Sequence, residues 1–134
     1  MINLLAAATS VPQNAFKTTE LVGSLMHKLS PELINTISTL GVHQRYSTVE
    51  NYPDFLCGKP KAANSSTSEL GVAATRRCIH EWGGDPNRIG LLVTATNTPD
   101  QMLPCLASEI MAKTHGLLSR SMRTVNMQAQ GCSV

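Results

Sequence analysis

Gln128-Ala129-Gln130-Gly131-Cys132-Ser133-Val134, directly preceded by Arg123-Thr124-Val125-Asn126-Met127, is the stretch that decides how this chain is read. The β-branched, alternating residues 123–127 predict a strand. A glycine then permits a sharp turn at no steric cost, and a cysteine follows it. A helix after that turn would aim free N–H groups and the positive end of its dipole at the sulfur, holding the thiol below the ~8.5 of free cysteine. Strand, tight turn and acidified thiol make Cys132 a candidate nucleophile, although the sequence stops two residues later. The competing reading is a small buried hydrophobe, the commoner use of free cysteine.

Upstream of that strand, Ile89-Gly90-Leu91-Leu92-Val93-Thr94-Ala95 is a continuous apolar run suited to a strand covered on both faces, which implies a parallel sheet. The segment Thr96-Asn97-Thr98-Pro99-Asp100 then falls at the carboxyl end of that strand, where open α/β sheets place ligands. Pro104 suits the first turn of a helix whose Leu103, Leu106, Ala107, Ile110 and Met111 face the core, closed by His115-Gly116. Cys105 is expected either to pack beneath that turn, the preferred reading, or to lie near the loop. Before the strand, Ser66-Thr67-Ser68-Glu69 is a capping box, and Leu70, Ala73, Ala74, Arg77, Cys78 and Trp82 carry the helix to Gly83-Gly84. Earlier still come a strand over residues 2 to 8, a turn over residues 10–14, a helix from Thr18 or Thr19 and a second from Ser30-Pro31 to Gly41. A short edge strand over residues 42–46 and an exposed loop over residues 51–64 complete the chain.

Composition sets limits. The 134 residues are 42% hydrophobic and 15% charged, with a net charge of +2, which describes a globular domain or part of one. No basic run exceeds Arg76-Arg77, so no nucleic-acid partner is expected. The apolar start is short, lacks a basic leader and meets Pro12, so neither a signal peptide nor a membrane span is expected, and the location is read as cytoplasmic. The four cysteines at 57, 78, 105 and 132 show neither a CxxC pair nor compact metal spacing. They are read as free thiols.

Residues 70–134, with Glu81-Trp82-Gly83, the strand of residues 91–95, Thr96, Met102, Pro104 and Gln130-Gly131-Cys132, resemble the N-terminal half of a type III polyketide synthase of the chalcone synthase kind. Thr98-Pro99-Asp100 and Gly41-Val42-His43-Gln44-Arg45 resemble the ketoacyl-acyl-carrier-protein synthase III family, and Ala8-Thr9-Ser10-Val11-Pro12 fits its first strand. Both families are thiolase-like. The resemblance implies an α/β fold, the N-terminal half of a thiolase-like domain with a βαβαβ-type sheet covered by helices, residues 1–134 being an incomplete portion. It implies decarboxylative Claisen condensation of acyl-CoA and malonyl-CoA type thioesters, or of carrier-protein thioesters, through an acyl group on Cys132. Thr96 and Asn97 would line the pocket beside the sulfur, and Met102 lies near the family's methionine that crosses the dimer interface. No cofactor is implied beyond the coenzyme A thioester substrates.

The departures are equally informative. The family's downstream His and Asn, which stabilise negative charge and assist decarboxylation, have no counterpart here. All four histidines precede Cys132. The coenzyme A phosphate-docking residues also have no match around residues 39–43. We therefore expect the C-terminal half of the fold as a partner, in a homodimer or heterodimer, and no activity from this chain alone. A non-catalytic thiolase-like partner subunit, or another acyl-thioester transferase such as a hydroxymethylglutaryl-type synthase, are the alternative readings.

Overall fold

A computed structural model describes residues 1–128. The chain divides into two compact units, residues 11–65 on one side of the division and residues 1–10 with residues 66 onward on the other.

The first unit is built on an antiparallel pair, β1 (Asn14–Lys17) and β2 (Gln44–Ser47), in the register Asn14 to Ser47 and Lys17 to Gln44. Strand β1 begins at Asn14, the last residue of the turn expected over residues 10–14, and is itself the departure from expectation. Polar Asn14 and Gln44 are poor local predictors of it, because strand formation follows the cross-strand partner more than intrinsic preference. Helix α1 (Thr18–Leu25) leaves β1 directly, and its Leu21 is 5% exposed. Helix α2 (Pro31–Thr39) has Ser30 as cap, accepting from the Leu33 N–H at 3.3 Å, and Pro31 where a missing N–H does no harm. Gly41 follows it with φ +69°, a backbone conformation that side chains resist. Residues 51–64, expected as loop alone, contain a single-turn helix, α3 (Tyr52–Leu56), with Pro53 in its first turn. Tyr52 stands 5.8 Å from Phe16, ring centre to ring centre.

The second unit carries the parallel sheet. Helix α4 (Thr67–Trp82) begins with the capping box read from the sequence, Ser66 with Glu69, and ends at Gly83 in the left-handed region, φ +65°. Its inward stripe is rotated from the expected one. Ala73 and Arg77 are exposed, while Gly71, Thr75 and Ile79 join Leu70, Ala74, Cys78 and Trp82 as half-buried. Gly71 matters here because a Cβ there would stand 2.8 Å from Ile110 Cδ1, so the glycine lets the next helix approach. Strands β3 (Leu91–Thr96) and β4 (Arg123–Gln128) run parallel, Leu91 beside Arg123 and Thr96 beside Gln128. Helix α5 (Leu106–Lys113) crosses between them and packs on both strands and on α4. Leu106, Ala107, Ile110, Leu118 and Met122 form the core beneath it, with Ala107 fully buried.

Strand β3 is covered on one face: Leu92, Thr94 and Thr96 turn towards α5, whereas Leu91 and Val93 are 51% and 53% exposed. Two expectations are corrected. Residues 2 to 8 form no strand, since a strand needs a ladder partner and none pairs with them among the described residues. Pro104 and Leu103 precede α5 and do not enter it. Their peptide bond is cis, and Leu103 is exposed, not part of the core. No helix among the described residues is long and apolar enough to cross a membrane.

Candidate functional site

Parallel pairing brings the carboxyl ends of β3 and β4 to the same edge, with Thr96 in register with Gln128. A single polar side chain locks this edge to the helix above. Asn126, on the α5 side of β4, accepts from the Thr94 hydroxyl at 2.6 Å and from the Ala107 N–H at 3.3 Å, and its amide donates to Gln128. The Ala107 N–H is one of the donors that the first turn of a helix cannot satisfy internally. Asn126 therefore fixes α5 over the strand ends. In the sequence it passes for one polar residue of an alternating strand, and its half-buried position shows only in the fold.

Thr96 is the last residue of β3, half-buried, and its Oγ1 accepts from the Thr98 N–H at 3.1 Å, starting the turn that leads out of the strand. Asn97 is next to it and exposed. Met102 is 72% exposed, which excludes the core-filling use of methionine. Thus Thr96 and Asn97 share the strand end, while Met102 projects from the loop beyond. Cys132 lies outside the described residues and follows Gln128 by four positions in the sequence.

Two residues of the loop were not read as functional. Cys105 does not pack beneath α5 but is its N-cap residue, and its sulfur meets the Ser108 hydroxyl at 3.4 Å. The Ser108 side chain and then its N–H, with the Ala107 N–H adding less, outweigh the opposing effect of burial and hold the Cys105 thiol below its ordinary value of 9.0. The spacing Cys105-Leu-Ala-Ser108, cap to third helical position, is the sequence signal for this arrangement.

Asp100 is the other. Its two carboxylate oxygens accept from the Thr67 and Ser68 N–H groups, both at 2.8 Å. Burial pushes the carboxyl up, but the Ser68 and Thr67 donors together outweigh it and hold the group below its ordinary 3.8. A carboxylate depressed in the fold contributes stability that is fully present above that ordinary value and is lost as pH falls through the folded one. Asp100→Asn should therefore flatten part of the acid limb of thermal stability, a modest change because the group is largely exposed. Melting temperatures of the two proteins measured from about pH 5 down to about pH 2 check this; parallel curves would remove the carboxylate from the account.

No protein-family model matches the chain. A stretch of 47 residues, 35% of the chain, is 43% identical to the beta-ketoacyl-[acyl-carrier-protein] synthase III of Hyphomonas neptunium, and covers 15% of that protein. Among solved structures, PKS-I from the brown alga Ectocarpus siliculosus matches 96% of this chain with a TM-score of 0.75 at 19% identity, over 40% of its own length. The 3-oxoacyl-(acyl carrier protein) synthase III, FabH, of Xanthomonas oryzae matches 93% with a TM-score of 0.68 at 16% identity, over 33% of its length. The fold is thus α/β and thiolase-like, as the resemblance implied, and the chain spans between a third and two fifths of these solved condensing enzymes. In sequence it is similar, over about a third of its length, to ketoacyl synthases of type III.

Proposed function

We propose that this chain is the nucleophile-bearing portion of a condensing enzyme that joins acyl thioesters by decarboxylative Claisen condensation. The observation that carries the proposal is the β3–α5–β4 unit, whose parallel register sets Thr96 beside Gln128, four residues before Cys132 in the sequence. The carboxyl ends of parallel strands are where α/β sheets take their ligands, and Cys132 follows the end of β4 by four residues in the sequence.

The chemistry follows from what a thiolate does well. The Cys132 thiolate attacks the carbonyl carbon of a starter thioester, the C–S bond to coenzyme A or a carrier breaks, and the leaving sulfur departs as a thiolate with the electron pair of that bond, to be protonated by water. A malonyl-type thioester then loses carbon dioxide, and the electron pair of the broken C–C bond becomes an enolate. The enolate carbon attacks the acyl-cysteine, forming a C–C bond and releasing the Cys132 thiolate with a 3-ketoacyl thioester as product. Thr96 and Asn97 border the starter pocket, and Met102 meets a second subunit of a dimer. The remainder of the fold supplies the donors that stabilise the enolate. Coenzyme A thioesters enter as substrates, no further cofactor is needed, and the location is cytoplasmic.

Incubating the assembled enzyme with an acyl-coenzyme A in the absence of extender, followed by digestion and mass spectrometry, tests the assignment. The acyl mass is expected on the peptide containing Cys132; a label absent there, or found on Cys105 instead, would defeat it. A non-catalytic partner subunit would take no label.

Thr96 offers a separate check. Thr96→Leu removes the acceptor of the Thr98 N–H, an effect of about 1 kcal/mol, and adds bulk beside the proposed pocket. Starter preference should shift towards shorter acyl chains, read as a ratio of kcat/KM values for a short and a long starter. An unchanged ratio would take Thr96 out of the pocket wall.

A further inference from the structure

The first turn of α4 shows an unusual division of labour among its unpaired donors. A helix start leaves its leading N–H groups without internal partners. Here the third, from Glu69, goes to the Ser66 hydroxyl at 3.2 Å, and the Ser66 N–H is taken by the Glu69 carboxylate at 2.9 Å. The capping box is complete with these two. The first and second donors, Thr67 and Ser68, go instead to Asp100, more than thirty residues along the chain. Each oxygen of one carboxylate takes one N–H, at the positive end of a 16-residue helix.

Other contacts support the same attachment. The Thr67 hydroxyl donates to the Thr98 carbonyl at 3.0 Å, so the loop is held by its backbone as well as by its acid. The side chain of Ser68, 1% exposed, accepts from Lys113 Nζ at 2.7 Å, tying the same turn of α4 to the last turn of α5. On the far side of Asp100, the Gln101 amide donates to the Glu109 carboxylate of α5 at 2.7 Å. Two consecutive residues of the loop thus grip two different helices. What projects between Gln101 and Cys105 is apolar and exposed, Met102 at 72% and Leu103 at 83%.

We propose that Asp100 is a positioning residue: by clamping the loop of residues 97–105 onto the first turn of α4, it sets where Asn97 and Met102 stand relative to the strand ends and so governs thioester binding. Its consequence for acyl transfer rests on the function proposed above; the clamp itself does not. Loss of the carboxylate frees the loop without touching the core of Ala107 and Ile110, so binding suffers before chemistry does. A residue that only stabilised the fold would lower all protection together and would leave the KM of the surviving folded enzyme alone.

Asp100→Asn and Asp100→Ala in the assembled enzyme separate these cases. Asparagine keeps the shape and one acceptor; alanine keeps neither. In the alanine variant the Thr67 and Ser68 amides should exchange with solvent about tenfold faster or more, while the amides of Val93 and Val125 keep their rates, and asparagine should fall between. With the acyl thioester as varied substrate, KM should rise about fivefold or more in the alanine variant with kcat within about twofold of the parent. Unchanged exchange at Thr67 and Ser68, a fall in kcat without a rise in KM, or equal loss of protection at Val93 in both variants would each overturn the proposal. A parent enzyme that transfers no acyl group would sink the condensing-enzyme reading, and the exchange rates would still decide on the clamp.

Discussion

Cys132→Ala in the assembled enzyme should lose acyl transfer by about a thousandfold or more, because the covalent intermediate has no other atom on which to form. Cys132→Ser should lose most of it as well, an alcohol being a far weaker nucleophile than a thiolate at neutral pH. The measurement is formation of the 3-ketoacyl product from a starter and a malonyl-type extender, with circular dichroism to establish that the variants fold. A Cys132→Ala protein with full turnover would remove the nucleophile. Cys105 makes the control indispensable. Its thiol is acidified by the Ser108 hydroxyl and by N–H groups at the start of α5, so iodoacetamide is expected to reach Cys105 as well as Cys132. Alkylation rate alone does not separate the two sulfurs. Acyl transfer does, and Cys105→Ser should leave the acyl label on the Cys132 peptide.

Local chemistry made much of the second unit legible. The Ser66 to Glu69 box, the Gly83 stop and the apolar run of residues 89–95 are each decided within a few residues of themselves, and the structure has α4 and β3 there within two residues. The same holds for Ser30-Pro31 at the start of α2. Pairing was less legible. Residues 2 to 8 have the composition of a strand but no partner among the described residues, whereas Asn14–Lys17 has an unremarkable composition and a good partner in Gln44–Ser47. Alpha-3 was hidden by Pro53, which reads as a loop residue unless its tolerance in a first helical turn is given weight. In the candidate site, the loop of residues 96–100 followed from its position at a strand end, and the pocket roles of Thr96 and Asn97 from the resemblance alone. The Asp100 contacts were not legible, because nothing near Thr98-Pro99-Asp100 says that its acceptors reach a helix start more than thirty residues earlier. Long-range polar contacts carry no periodicity to read.

The exposed face of the parallel sheet supports a prediction of comparable size. Val93 lies beside Val125 and Ala95 beside Met127, and Leu91, Val93, Val125 and Met127 are 51%, 53%, 45% and 38% exposed. Each half-exposed side chain gains on the order of 1 kcal/mol on burial, and the four lie side by side on one surface. Residues 1–134 expressed on their own should therefore self-associate at micromolar concentrations, seen as a concentration-dependent sedimentation coefficient. Val93→Glu combined with Val125→Lys puts opposite charges on a cross-strand pair, which preserves the ladder while making the face costly to bury. That double variant should sediment as a monomer. In the assembled enzyme the same pair of substitutions should instead abolish soluble expression, since the face would have to be buried against the rest of the fold with two charges on it. A parent chain of residues 1–134 that sediments as a monomer at all concentrations and melts cooperatively would show that this face needs no cover. If that monomer also turned over acyl thioesters, the proposal that the chain is one portion of a larger catalytic fold would fall with it.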